Sequence, residues 1–182
     1  ATTDFWDSYL ENYITEADIK WLSESGVNLI RLPFDYRLLC HDDFLGRDMQ
    51  GYTYLDRAIE WCGTHHIYVL LDMHAAPGGQ TGDNIDDSDG YPWLLVDEGM
   101  QQMACDIWKD IAGRYANNAT VIGYNLLNEP IPQYFDADNL KPKLEPLYKR
   151  ITEAIREVDD HHIVFLGGAV WETDFSVFSE PF

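Results

Sequence analysis

The 182-residue sequence is poor in cysteine, with three, and in basic residues, with twelve Lys and Arg. Cys40, Cys62 and Cys105 are odd in number and widely spaced, with no C-x-x-C pair and no short Cys/His cluster. This argues against a disulfide scaffold and against a metal site. Thirty-two Asp and Glu set against the twelve basic residues leave a formal charge of −20. Such a balance repels phosphate backbones and anionic lipid, so neither nucleic acid nor a membrane is expected as a partner. No apolar run approaches the roughly 20 residues that span a bilayer, and the opening Ala1-Thr2-Thr3-Asp4 lacks the basic and apolar regions of a signal peptide. Repeats, low-complexity tracts and composition breaks are also missing, so residues 1–182 read as a single domain. Neutral ligands such as sugars remain compatible with the excess of acid.

Apolar material is plentiful: 46% of residues are hydrophobic and 14% aromatic, enough for a sizeable core. Four short apolar runs, at 27–33, 67–72, 121–127 and 162–166, read as buried parallel strands, each preceded by helical periodicity. The first helix is expected to start at Thr15, a capping residue, and to stop at Gly26, which tolerates a left-handed conformation. The second, near 54–62, places Leu55, Ala58, Ile59 and Cys62 on one face. The third, about 99–116, carries a stripe of Met103, Ile107, Trp108, Ile111, Ala112 and Tyr115. The fourth, about 140–158, repeats the pattern with Leu140, Leu144, Leu147, Tyr148, Ile151, Ile155 and Val158. This αβαβαβαβ order, with strand starts about 40 to 54 residues apart, fits a (β/α) barrel or a doubly wound sheet. Neither G-x-G-x-x-G nor G-x-x-x-x-G-K follows any strand, which favours the barrel.

In parallel α/β folds ligands bind where the loops converge, at the carboxyl ends of the strands. Arg31 is expected near the end of the first strand, Asp72 and His74 at the end of the second, Asn128-Glu129-Pro130 at the third, and Trp171-Glu172 after the fourth. Pro130, with no backbone N–H, forces the chain out of the strand and leaves the Glu129 carboxyl group at the sheet edge. An isolated Glu there commonly caps the next segment; Asn128 beside it adds an amide suited to a sugar hydroxyl, and partial burial would bring the carboxyl towards general-acid range. Arg31 could equally be a salt-bridge partner, His74 a satisfied polar residue, and Trp171 either a sugar platform or a core plug. The acidic stretch 83–90 fails the EF-hand pattern and reads as a solvated loop bordering the cleft. His65-His66 and His161-His162 precede strands, on the opposite rim, so no metallohydrolase site is expected.

Three of these segments carry a family resemblance. Leu127-Asn128-Glu129-Pro130 resembles the acid/base motif of the family 5 (cellulase-like) glycoside hydrolases. Ile30-Arg31-Leu32-Pro33 resembles that family's second-strand arginine, and Leu71-Asp72-Met73-His74-Ala75-Ala76-Pro77-Gly78-Gly79 its third-strand histidine motif. The likeness extends over roughly 15–175. It implies a partial TIM (β/α)8 barrel of about four parallel strands, the second to fifth, not closed by this chain alone. It also implies a secreted retaining β-glycosidase acting on β-glucan-type oligo- or polysaccharides, endoglucanase-like or a related β-mannanase or exo-glucanase, without a cofactor. By the same resemblance Glu129 is the acid/base, Asn128 a donor to the 2-hydroxyl, Arg31 an orienter of the nucleophile and His74 a sugar contact, with Trp171 as the candidate stacking platform.

The resemblance also exposes gaps. A retaining glycosidase needs a second carboxylate about 5–5.5 Å from the first, and in the family it is a Glu on the seventh strand, which has no counterpart here. Glu172, Asp72 and Asp35 do not match its position. The first strand is expected to be absent too, because the segment ahead of Thr15 is short and polar. Open barrel edges then call for a second copy or a companion fragment, and the isolated chain is expected to be inactive. The alternative is a non-catalytic carbohydrate-binding or self-assembling half-barrel.

Overall fold

A computed structural model describes residues 2–40 and 51–179. Four parallel strands form one open sheet in the order β1-β2-β3-β4: β1 (Leu29–Asp35), β2 (Tyr68–Ala75), β3 (Val121–Asn125) and β4 (Ile163–Phe165). Helices α1 (Thr2–Asn12) and α2 (Glu16–Glu24) precede β1, and the short α3 (Arg37–Cys40) and α4 (Gly51–Thr64) precede β2. Then α5 (Glu98–Tyr115) leads to β3 and α6 (Ala137–Arg156) to β4, and a one-turn α7 (Ala169–Glu172) follows. This is the expected alternation with an extra helix in front. The polar segment ahead of Thr15 is helical, and β1 and β2 keep their ladder two or three residues beyond the apolar runs, with Phe34 opposite Met73 and Asp35 opposite Ala75. Arg31 therefore sits inside β1 rather than near its end.

Register assigns the two faces. Arg31 pairs with Leu70 and Leu70 with Gly123; Pro33 pairs with Asp72 and Asp72 with Asn125. With the period of two, Leu29, Arg31 and Pro33 share a face with Tyr68, Leu70, Asp72 and His74, and with Gly123, Asn125, Ile163 and Phe165. The other face packs Phe34, Val69, Leu71, Met73 and Tyr124 against the helices. On the first face Leu29, Tyr68 and Ile163 are 43%, 53% and 57% exposed, as befits a barrel wall with nothing across from it.

The helices owe their positions to single apolar stripes. α5 buries Ala104, Cys105, Ile107, Trp108, Ile111, Ala112 and Tyr115, while Met103, expected in that stripe, lies outside it. Trp108 wedges between Phe34 and Tyr124 and donates its indole N–H to the Leu126 carbonyl at 3.1 Å, so its polar edge is satisfied in the core. α6 buries Leu140, Leu144, Leu147, Tyr148, Ile151 and Ile155, but Val158 lies past its end and is 39% exposed. Pro142 and Pro146 stand inside α6, each costing about 3 kcal/mol. Six buried side chains at roughly 1.5–3 kcal/mol each outweigh that penalty.

Candidate active site

Arg31 gathers polar groups from β2 and from the end of β3. Its Nε donates to Asn125 Oδ1 at 3.0 Å, and its Nη2 donates to Asp72 Oδ1 at 2.9 Å and to Asn128 Oδ1 at 2.8 Å. The second Asp72 oxygen lies 2.8 Å from His74 Nδ1. An ionised Asp72 places the imidazole proton on Nδ1, which leaves the neutral ring's Nε2 as an acceptor. The Asp72 side chain is wholly buried, while Arg31 and His74 are 37% and 43% exposed, so two polar heads reach solvent above a buried charge. Burial pushes the Asp72 carboxyl group above its ordinary range and the charge of Glu172 adds to this; His74 and Arg31 pull the other way without overcoming it.

Glu129 follows on a strained peptide. Its φ is 46° and that of Ile131 is 56°; a non-glycine residue held left-handed costs about 1 kcal/mol. Neighbouring loops hold this turn. The Asn128 N–H donates to the Met73 carbonyl at 3.2 Å, and Gln80 Nε2 donates to the carbonyls of His74 at 2.8 Å and Asn128 at 3.0 Å. The Glu129 N–H donates to Glu172 Oε1 at 3.1 Å. Val170, Trp171 and Glu172 are left-handed as well, so among the described residues five of the six non-glycine residues with positive φ cluster at this rim.

The structure thus brings Arg31, His74, Asn128 and Glu129 to one end of the sheet. Trp171 lies there too, partly exposed, its ring 6.2 Å from that of Tyr134 at 55°. Three participants were missed by sequence reasoning or given another part. Asn125 is a lone polar residue inside the apolar run 121–127, two positions after Gly123, and that period was a usable signal. Asp72, weighed as a nucleophile and as a metal ligand, holds Arg31 and His74. Gln80 ties two loops together while fully buried, and nothing local announces it.

The acidic loop differs from a plain solvated one. Asp86 accepts the N–H groups of Gln80, Thr81 and Ser88, and Asp87 accepts the Tyr36 hydroxyl at 2.6 Å and pairs with Arg37 at 3.0 Å. Asp86 and Asp87 are struts that hold the loop to its neighbours. Among the described residues no three His, Cys, Asp or Glu side chains gather as metal ligands, and no helix is long and apolar enough to cross a membrane.

An open parallel sheet flanked by helices, with its polar groups collected toward the carboxyl ends of the strands, is a partial TIM (β/α) barrel. The sequence profile "Cellulase (glycosyl hydrolase family 5)" matches residues 2–180, and the chain belongs to that family. It is 38% identical over 181 residues to a "Beta-xylosidase" of Phanerodontia chrysosporium, covering 97% of this chain and 36% of that protein. To "Endoglucanase C" of Acetivibrio thermocellus it is 34% identical over 165 residues, covering 90% and 45%. The endoglucanase Cel5A of Thermotoga maritima shares the fold with a TM-score of 0.69 at 21% identity, over 92% of this chain and 49% of that one. The chain therefore spans less than half the length of these relatives.

Proposed function

We propose that the chain carries the acid/base half of a retaining β-glycosidase site for β-glucan-type oligo- and polysaccharides, with Glu129 as the acid/base. The supporting observation is the placement of Glu129 next to Asn128, whose amide oxygen is taken by Arg31, so that the Asn128 N–H2 is oriented to donate to a sugar hydroxyl. Glu129 protonates the departing glycosidic oxygen as a carboxylate attacks the anomeric carbon; it then takes a proton from the water that releases the sugar. His74 Nε2 accepts from a sugar hydroxyl, and Trp171 with Tyr134 offers aromatic faces to the chain of sugars. A polymeric substrate of this kind places the activity outside the cell.

The attacking carboxylate is assigned to protein outside these 182 residues. Both Asp72 oxygens are engaged by Arg31 and His74, Asp35 is engaged by Arg37, and Glu172 accepts a backbone N–H. Arg31 Nη1 carries no hydrogen bond among the described residues and suits that incoming carboxylate. The exposed wall of Leu29, Tyr68 and Ile163 is covered in the working protein by the same companion fragment or by a second copy. In the completed enzyme Glu129→Gln lowers turnover of unactivated cellooligosaccharides by orders of magnitude, while aryl glycosides with good leaving groups suffer less. Near-normal turnover on cellooligosaccharides would remove Glu129 from the role.

The second reading is a non-catalytic carbohydrate-binding half-barrel, favoured by the engagement of every other carboxylate weighed as a nucleophile. Reducing-sugar release by the 182-residue chain alone would overturn it. Cellotetraose binding without hydrolysis would support it.

A further inference from the structure

We propose that Glu172 is a positioning residue that fixes the aim of Glu129, an inference that rests on the acid/base reading. Glu129 and Ile131 are both left-handed, and the peptides on either side of Glu129 are held by other loops: Asn128 by Met73 and Gln80, Ile131 by Gln80 and Val170. The N–H of Glu129 itself is taken by the Glu172 carboxylate at 3.1 Å. A charge-assisted bond of this kind is about twice as strong as a neutral one. It acts on the backbone of the residue whose side chain must be aimed.

Glu172 is anchored in turn. It ends the left-handed run Val170, Trp171, Glu172, with φ of 55°, 57° and 62°, which turns its side chain back across Gly167. A Cβ on Gly167 would lie 2.8 Å from both Cγ and Oε1 of Glu172, so glycine is what lets the carboxylate lie there. The Gly167 carbonyl accepts the hydroxyl of the fully buried Tyr148 of α6 at 3.0 Å. A continuous chain of contacts therefore runs from the helix layer through Gly167 and Glu172 to the Glu129 peptide. A misplacement of 1 Å at a reacting group costs about a hundredfold in rate, and a peptide held only at the Asn128 carbonyl by Gln80 can tilt about that bond and carry the Glu129 carboxyl group off its aim. The same geometry explains why Glu172 is no substitute nucleophile: its oxygen faces a backbone N–H.

The test uses Glu172→Gln, which keeps an acceptor oxygen, against Glu172→Ala and Gly167→Ala, which remove or displace it. In the 182-residue chain the Glu129 amide proton is expected downfield and protected from exchange in 1H–15N spectra. That downfield position and protection are lost in Glu172→Ala and Gly167→Ala. In Glu172→Gln the amide stays downfield and protected. In the completed enzyme kcat on cellotetraose falls about ten- to a hundredfold in Glu172→Ala and Gly167→Ala with KM within twofold, and Glu172→Gln restores it to within a few-fold. An unchanged Glu129 amide in Glu172→Ala, or a Glu172→Gln enzyme as slow as Glu172→Ala, would overturn the proposal. Full turnover in Glu129→Gln would instead remove the acid/base reading, and the amide response would still report the hydrogen bond.

Discussion

Two buried carboxylates stand at opposite ends of the same sheet, and they have been set to opposite acidities. Asp72 at the carboxyl end and Asp159 ahead of β4 both have wholly buried side chains, and each is paired with a histidine, at 2.8 Å to His74 and 2.6 Å to His162. Burial works to raise Asp159, but the Tyr124 hydroxyl, the N–H groups of His161 and His162 and the His162 ring together outweigh it and hold the carboxyl group at about 2. Asp72 has fewer donors and a like charge nearby, so burial prevails and its acidity falls. Asp159 is arranged to hold the α6–β4 turn against β3. Asp72 instead spends its two oxygens on Arg31 and His74, whose heads reach solvent at the rim.

The largest effect should come from Asp159→Ala. It strips the partner from the buried Tyr124 hydroxyl and from His162, whose side chain is 9% exposed. Breaking a buried, hydrogen-bonded pair costs about 3 kcal/mol or more, read as a lowered urea midpoint at unchanged m-value. Asp72→Ala leaves Arg31 and His74 with access to water and should cost about half as much. A reversal of that ranking would break the comparison.

Acid comes next. The folded Asp159 carboxyl group titrates at about 2, below its ordinary 3.8. Its stabilisation is thus complete above the unfolded value and is lost as pH falls from about 4 through about 2, amounting to about 2 kcal/mol. Asp72, raised when folded, has the opposite sign and resists acid unfolding. Denaturation measured between pH 6 and pH 2 should show a shallower acid limb in Asp159→Asn and a steeper one in Asp72→Asn. Parallel limbs would contradict the assignment.

At the carboxyl end Asp72→Asn tests function rather than stability. An amide can present either its oxygen or its N–H2 to His74 Nδ1, so the ring is no longer confined to one tautomer, and Arg31 loses its charge partner. Cellotetraose affinity should fall about tenfold, about 1.4 kcal/mol, with a small change in thermal midpoint, and 15N shifts of His74 should report the mixed tautomer. Undiminished affinity would separate Asp72 from the ligand site.

The two ends were not equally legible in the sequence. Strands and crossover helices showed because apolar runs and stripes are local patterns, and Arg31, His74, Asn128 and Glu129 showed because each stands in a short motif beside a strand. Asp159, Gln80 and Glu172 act through partners far along the chain, Tyr124 at 35 residues, Asn128 at 48 and Glu129 at 43, and a spacing rule has no access to such pairs. Strand ends were misplaced because ladders follow the neighbouring strand rather than hydropathy: β1 and β2 continue past their apolar runs, and β3 stops at Asn125 although Leu126 and Leu127 are buried.

The smallest effect separates strain that serves a site from strain that does not. Helix α2 ends with the Val27 N–H donating to the Leu22 carbonyl at 3.0 Å and Gly26 left-handed at φ 90°. Helix α4 ends the same way, Ile67 N–H to Cys62 at 2.8 Å, but with His66 in the left-handed place at φ 59°. This closing motif favours glycine there, and an exposed histidine bears a strain that glycine lacks, offset in part by glycine's greater freedom when unfolded. His66→Gly should therefore stabilise the chain by up to about 1 kcal/mol, a rise of a few degrees in thermal midpoint, and leave cellotetraose affinity unchanged. At the opposite rim Glu129 occupies the same backbone region. Glu129→Gly would relieve similar strain while removing the proposed acid/base, so stability and function should part company there. A loss of glycan affinity in His66→Gly would show that the two ends of the sheet are not independent.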